Sequence, residues 1–242
     1  MSNDIDDDKF FVFGADFGSG TDAYHFQLGF ASKILLRRIP EGIIFHCDGT
    51  NKIIKFGFPL IVFGISDINR KFWPVGFMFS SHEQKGDYLK FFQKMVEVAL
   101  LVDVILEPKF MVIDACKAIA YAIKKCFPKC KIIMCWFHLK FNIRKHKQLL
   151  RGKYKKVVSH INLLHNTSNE FEFRVLWSKI EKQWQKKPSM SKFLKHFKTQ
   201  WMDSIFCNWQ IFQTPPGFTT TNNPIESYNA IIKKFHQPIK TK

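Results

Sequence analysis

The pattern of hydrophobic and polar positions becomes regular at about residue 41. Three mostly apolar runs follow, residues 42–48, 60–66 and 72–79, each bounded by turn residues. Runs of this length and composition predict strands, and their short links predict an antiparallel meander. Residues 1–40 mix acidic, glycine and serine positions without a sustained period. We expect them to form a partly ordered lead-in.

The following segment alternates between helical and strand patterns. The spacing of its apolar residues predicts helices over residues 86–101, 115–126 and 138–150 and strands over residues 110–113 and 131–135. The resulting order, βββαβαβα, is typical of a five-stranded mixed sheet, with three antiparallel strands followed by parallel ones. We therefore expect an α/β domain over residues 41–150, with helices on both faces of its sheet.

The carboxyl-terminal part of the chain has a different pattern. Over residues 151–218 the strand signals disappear, and apolar side chains recur at helical spacing between lysines. We interpret this stretch as an all-helical insertion. Residues 219–242 then contain a last helix, predicted over residues 225–235, that returns the chain to the α/β core.

Composition and charge narrow the class of protein. A hydrophobic content of 46% is ample for a packed core, and no apolar run is long enough to span a bilayer. Six cysteines are too few for a disulfide scaffold of this length, and the start of the chain lacks the pattern of a secretory signal. These features predict an intracellular protein without a membrane partner.

The net charge of +17 is concentrated near the carboxyl end. From Phe141 onward the chain has 19 Lys and Arg against 5 Asp and Glu, which accounts for +14 of the total. Such a field favours a polyanionic partner such as nucleic acid. A lysine-rich, solvated surface is the alternative explanation.

Two aspartates stand at the ends of predicted strands. Asp48 ends the first strand and Asp114 ends the fourth, and these strands can be neighbours in a βββαβ sheet. Paired carboxylates are costly unless a cation neutralises them, and Mg²⁺ prefers oxygen ligands. A third carboxylate from a nearby helix, for which Glu226 is the candidate, would complete a two-metal site for phosphoryl transfer.

Each acid also has a structural explanation. Asp114 precedes a predicted helix and could be its N-cap, and Asp48-Gly49 is a common turn dipeptide. Glu226 lies three residues after Asn223, with Pro224 between them, which is the spacing of a capping box. The sequence pattern alone leaves both explanations open for all three residues.

A C-x-x-H element follows the fifth predicted strand, with Cys135 and His138 as its ends. Thiolate and imidazole both bind zinc, but a tetrahedral site needs four ligands. No second Cys/His pair with suitable spacing follows, and Cys130 is the nearest further candidate. The alternative is a buried cysteine beside a hydrogen-bonded histidine.

Five segments in order resemble the catalytic domain of Mutator-like (MULE) transposases. They are Asp48-Gly49-Thr50, Val112-Ile113-Asp114 with Ala118-Ile119, Cys126-Phe127-Pro128, Cys135-Trp136-Phe137-His138, and Thr221-Asn222-Asn223-Pro224-Ile225-Glu226-Ser227-Tyr228-Asn229. The resemblance implies a ribonuclease H-like core in which Asp48, Asp114 and Glu226 hold Mg²⁺ or Mn²⁺. It also implies the C-x-x-H element and a helical insertion ahead of the glutamate.

The resemblance carries functional expectations as well. It implies cleavage of DNA strands at transposon ends and transfer of the freed 3′-hydroxyl to target DNA, by a nuclear protein that self-associates. An alternative is a host-adopted or truncated derivative that binds DNA without catalysis, because the first 40 residues do not resemble the family's usual DNA-binding domain. A weaker alternative is an ordinary ribonuclease H-like nuclease that cuts RNA–DNA hybrids.

Overall fold

The computed structural model describes residues 6–21, 24–51, 53–54, 57–150 and 152–235. Within these ranges the chain forms seven strands: β1 Phe11–Thr21, β2 Tyr24–Ala31, β3 Ile44–Thr50, β4 Leu60–Ser66, β5 Phe72–Ser80, β6 Phe110–Ile113 and β7 Lys131–Met134. The helices of the same ranges are α1 Lys33–Leu36, α2 Lys85–Leu100, α3 Lys117–Cys126, α4 Trp136–Lys145, α5 Tyr154–His165, α6 Glu170–Gln185, α7 Ser191–Phe197 and α8 Asn223–Phe235. None of these helices is both long enough and apolar enough to cross a membrane.

The strands form one mixed sheet in the order β1-β2-β5-β4-β3-β6-β7. Strands β3, β4 and β5 are the predicted antiparallel meander, and β6 pairs with β3 in parallel. The α/β class and the succession of elements after residue 41 are therefore confirmed. By its internal contacts the chain divides into a first unit, Met1–Lys131 with Asn222–Lys242, and a second unit, Ile132–Thr221.

The sheet has seven strands where the sequence predicts five, because β1 and β2 form an antiparallel pair that joins the sheet through β5. The buried side of β2 carries Gln27, Gly29 and Ala31, so polar and small residues occupy its core positions. Gly29 is required there because a Cβ would lie 2.6 Å from the ring of Phe13. Because the buried positions of β2 are not the hydrophobic ones, a pattern of alternating hydrophobic residues does not predict how this strand packs.

Large side chains fill the core of the first unit. Helix α2 buries Tyr88, Phe91, Phe92 and Met95, and the ring of Phe63 on β4 contacts Phe91 and Phe92 edge to face. Such ring pairs add to the stabilisation that apolar burial provides. A second cluster covers the opposite face of the meander, where Ile225 of α8 is fully buried with Leu60 and Val62 of β4.

The second unit is helical beyond β7 and has an aromatic core. Trp201 and Trp209 are fully buried, and the indole N–H of Trp209 donates to the carbonyl of Trp201 at 2.8 Å. His165 donates from Nδ1 to the carbonyl of Trp209 at 2.7 Å and stacks on Trp136 with ring centroids 3.8 Å apart.

Candidate active site

Asp48 lies within strand β3, which continues to Thr50 and pairs Asp48 with Val62 of β4. Its backbone is therefore extended, and the turn explanation for Asp48-Gly49 is wrong. The parallel pairing of β3 with β6 places His46 opposite Val112. Asp114, two residues beyond Val112, therefore occupies the same level of the sheet as Asp48. The two aspartates lie level on neighbouring strands, as predicted, but Asp48 does not end its strand, because β3 continues to Thr50.

Asp114 follows the last residue of β6 and precedes a tight turn. Its carbonyl accepts a hydrogen bond from the Cys116 backbone N–H at 2.7 Å. Helix α3 begins at Lys117, and its N-cap residue is Cys116. The N-cap explanation for Asp114 is wrong, because the helix begins two residues later than that role requires.

Glu226 lies in the first turn of α8. Its backbone N–H donates to the carbonyl of Asn222 at 3.1 Å, which makes Asn222 the N-cap residue of this helix. A capping box needs the glutamate three residues after the cap, and Glu226 is four residues after it. The capping-box explanation for Glu226 is therefore wrong as well.

The side chains of Asp114 and Glu226 come together in the first unit. One carboxylate oxygen of Asp114 and one of Glu226 lie within 4.8 Å of each other, although 112 residues separate them in the sequence. Two carboxylates at this distance repel each other in a partly buried environment, and a divalent cation between them removes that cost. Carboxylate oxygens are ligands that Mg²⁺ and Mn²⁺ prefer.

Asp48 is held by a different contact. Among the described residues, no group of three carboxylates has all its ligand atoms within 4.8 Å. The Asp48 Oδ2 atom accepts a hydrogen bond from the Asn229 side-chain amide at 2.8 Å. Asn229 lies three residues after Glu226, so both side chains project from the same face of α8. Asn229 thus connects the helix that carries the glutamate to the strand that carries the aspartate.

The sequence analysis did not identify Asn229. Its side chain is 5% exposed, and within the described part of the chain its Oδ1 atom has no hydrogen-bond partner. A buried acceptor without a partner is costly, and a cation or its bound water would satisfy it. The helical spacing from Glu226 was the signal in the sequence that could have revealed this residue.

A second buried contact joins the same two elements. His46 of β3 donates from Nδ1 to the Oδ1 atom of Asn222 at 3.0 Å, and its Nε2 accepts from the Ser66 hydroxyl at 2.9 Å. Burial lowers the pKa of His46 to about 4, against the weaker opposing effect of the Asn222 hydrogen bond. The ring is therefore neutral near pH 7, with its proton on the nitrogen that faces α8.

Glu83 adds a further carboxylate near Asp48. The Tyr88 hydroxyl donates to its Oε1 atom at 2.8 Å, and a Cβ on Gly49 would lie 1.8 Å from that same atom. Because Gly49 has no side chain, the carboxylate of Glu83 has room beside it. Burial raises the pKa of the Cys47 thiol well above its usual range, and the negative charge of Asp48 adds to the effect. The thiol beside Asp48 is protonated and inert at neutral pH.

The C-x-x-H element lies in the second unit, at the start of α4. Cys135 is fully buried, and the Nδ1 atom of His138 lies 3.4 Å from its sulfur. No third Cys, His or carboxylate of the described residues of this unit joins the pair within 4.8 Å. The thiol of Cys130 donates to the carbonyl of Lys131 at 3.8 Å. Zinc binding by Cys135 and His138 stays a prediction from the sequence.

Comparison with known proteins gives one finding. Residues 44–142, about two fifths of the chain, match the model of the MULE transposase domain. The match runs from β3 to α4 and contains Asp48, Asp114, Cys135 and His138, whereas Glu226 lies outside it. No curated protein matches the chain. The resemblance identified from the sequence is confirmed for the matched residues.

Proposed function

We propose that this chain, which carries a MULE transposase domain over residues 44–142, is the catalytic core of a DNA transposase. The proposed reaction is metal-dependent cleavage of a DNA strand, followed by attack of the freed 3′-hydroxyl on target DNA. The proposed fold is the ribonuclease H-like arrangement, extended at one edge by strands β1 and β2.

The observation that supports this proposal is the proximity of the Asp114 and Glu226 carboxylates. The chain leaves the first unit after Lys131 and returns to it at Asn222. A glutamate at the start of the returning helix has no sequence-local reason to lie beside Asp114. A shared divalent cation would remove the repulsion between two carboxylates at this distance.

In this proposal Asp114 and Glu226 hold Mg²⁺ or Mn²⁺, and Asp48 completes the ligand set. When bound, such ions activate an attacking oxygen and stabilise the leaving oxygen of a phosphodiester. The protein's own residues keep the ligands in position: Asn229 donates to Asp48, and the neutral His46 anchors the cap of α8. Both contacts limit the movement of α8 relative to β3, so the ligands are preorganised before DNA binds.

DNA is the proposed partner, both as transposon ends and as target. The second unit has 16 Lys and Arg against 4 Asp and Glu over residues 132–221, a charge that attracts the phosphate backbone without regard to sequence. We place the protein in the nucleus because its proposed substrate is there. We further propose that it acts as a homo-oligomer, because strand transfer joins two DNA ends.

The proposal is tested by nicking of a supercoiled plasmid in Mg²⁺, in Mn²⁺ and in EDTA. We expect cleavage in either metal, none in EDTA, and a loss of about 100-fold or more in Asp114→Asn and Glu226→Gln, since each removes a charged metal ligand. Glu107→Gln is the matched control: this exposed acid precedes β6, and its removal should leave the rate unchanged.

Three results would contradict the proposal. Nicking that persists in Asp114→Asn would show that the pair is not the metal site. Tight DNA binding without cleavage in either metal would favour the alternative, a transposase-derived protein that binds DNA and has no catalytic activity. Cleavage of RNA–DNA hybrids in preference to duplex DNA would favour the ribonuclease alternative.

A further inference from the structure

A cavity of about 190 Å³ in the second unit is surrounded by lysine side chains. Four of its lining residues are lysines, namely Lys153, Lys156, Lys186 and Lys187, and none is acidic. Its floor is apolar, since Val157, Trp184 and Met190 line it and are buried. A water molecule takes up roughly 30 Å³, so the cavity has room for an anion larger than one water.

The positive charge around this cavity is not compensated. Within the described part of the chain, none of the four lysines forms an ion pair with a carboxylate, whereas Lys198 of the same unit pairs with Glu181 at 2.7 Å. Instead Lys153 donates to the Ser189 hydroxyl at 2.7 Å, which holds its ammonium group at the rim. Ammonium groups that converge without a counterion favour the binding of an anion.

The first turn of α5 borders the cavity and adds to this preference. Lys153 is the N-cap residue of the helix, and its side chain makes no capping hydrogen bond. No acidic residue lies in the first turn, where one would normally interact favourably with the helix dipole. A bound anion would supply the negative charge that this helix terminus lacks.

His160 contributes a further donor to the lining. The indole N–H of Trp184 donates to its Nδ1 atom at 3.0 Å, so the neutral ring carries its proton on Nε2. Burial lowers the pKa of His160, and the charges of Lys156 and Lys187 lower it further. His160, Lys156 and Lys187 line the same cavity, so an anion bound there should change the NMR signals of the imidazole.

We propose that this cavity binds a phosphate group through Lys153, Lys156, Lys186 and Lys187, and that the group belongs to the backbone of bound DNA. The assignment to DNA rests on the proposed function, whereas the anion site itself does not. Lysine ammonium groups bind phosphate as point charges without demanding one geometry, which suits a contact that must accept any sequence.

The test compares two double variants that remove the same charge. Lys156→Gln/Lys187→Gln alters the cavity without breaking the Lys153–Ser189 hydrogen bond, and Lys179→Gln/Lys182→Gln removes two exposed lysines of α6 that do not line it. Each protein is titrated with inorganic phosphate while the imidazole NMR signals of His160 are followed. His160→Gln assigns those signals, and the dispersion of the spectrum shows that each variant is folded.

We expect saturable shifts of the His160 signals and weakening of phosphate binding by about tenfold or more in the cavity variant, as charged hydrogen bonds are lost. The control should change by less than about twofold, as expected for solvent-screened charges. Equal weakening in both variants, or His160 signals that do not respond to phosphate, would overturn the proposal, because binding would then reflect only the general positive field.

A second arm identifies the source of the phosphate. A short DNA duplex should displace inorganic phosphate from the wild-type cavity, and the cavity variant should show a smaller salt dependence of DNA affinity than the control. If phosphate binds but DNA does not displace it, the DNA assignment is overturned and the site serves a small phosphate-bearing molecule. Asp114→Asn should retain phosphate binding, so a failure to cleave DNA would leave this result unaffected.

Discussion

Asn229 contributes to the candidate site although its side chain carries no charge. Its amide donates to Asp48, while its buried Oδ1 atom has no partner among the described residues. An asparagine can donate to one carboxylate and still offer an oxygen to a cation, whereas an aspartate at this position would only repel Asp48. The site therefore depends on a residue that carries no charge.

We expect that the free energy of unfolding of Asn229→Asp depends on bound metal. A carboxylate at the buried position 229 that faces Asp48 should lower the free energy of unfolding by about 3 kcal/mol or more in EDTA, because an uncompensated buried charge is costly. Saturating Mg²⁺ should restore most of that loss. Thermal melts with and without Mg²⁺ measure the effect.

Asn51→Asp is the matched control for this substitution. Asn51 also donates to a carboxylate, Glu83 at 3.4 Å, but at an exposed position. We expect a cost under about 1 kcal/mol for the control, with little response to Mg²⁺. An equal response of both variants would show that Asn229 does not face the cation site.

At the scale of elements, helix α8 determines whether the acids can meet. Its apolar side is held by Ile225, and its start is held by the hydrogen bond between Asn222 and His46. The apolar contact alone would leave the rotation of the helix poorly defined, because hydrophobic burial has no direction. The buried hydrogen bond fixes the rotation that turns Glu226 toward Asp114.

We therefore expect Asn222→Ala to destabilise the first unit by roughly 1–3 kcal/mol, since it leaves the Nδ1–H donor of His46 buried without an acceptor. Asn223→Ala, at the adjacent exposed position, is the control and should cost about 0.5 kcal/mol or less. Urea unfolding measures both values. Equal losses in the two variants would mean that the His46 contact does not fix the helix.

At the scale of the whole molecule, excess positive charge combines with buried neutral histidines. The chain has a net charge of +17 with its 9 histidines counted as neutral, so acidification adds charge to an already repulsive surface. The pKa of His165 is lowered from 6.5 to about 4, mainly by burial and to a smaller extent by the charge of Lys140, against the opposing effect of the Trp209 hydrogen bond. Protonation of His165 therefore opposes folding.

The sign of the pH dependence follows from this lowered pKa. Between pH 6.5 and about 4 the unfolded state binds the proton at His165 and the folded state does not, so stability is present above this range and is lost as pH falls through it. The loss is at most roughly 1.4 kcal/mol per pH unit. Urea unfolding at pH 7 and pH 5 should show a smaller difference for His165→Gln than for the wild type, and an unchanged difference would contradict this account.

Much of the first unit follows from local sequence patterns. The sequence predicts the meander, the strand before Asp114 and helices α2 and α3, because the spacing of apolar residues and the positions of turn residues indicate the same elements there. The order of strands and helices also predicts that β3 and β6 are adjacent and parallel. The sequence also suggested which acids to compare, because each of them lies at the edge of a predicted element.

Only the tertiary structure excluded the turn and cap explanations of those acids and showed which of them lie close together. Glu226 and Asp114 are 112 residues apart, and nothing local to either one specifies that their oxygens lie within 4.8 Å. Strand β2 was not predicted because its core positions hold the small and polar residues Gln27, Gly29 and Ala31, and the sheet pairing that defines β1 is with β2. The local pattern of apolar and polar residues indicates which side of a segment is buried. Contacts between distant residues depend instead on the packing of the whole unit.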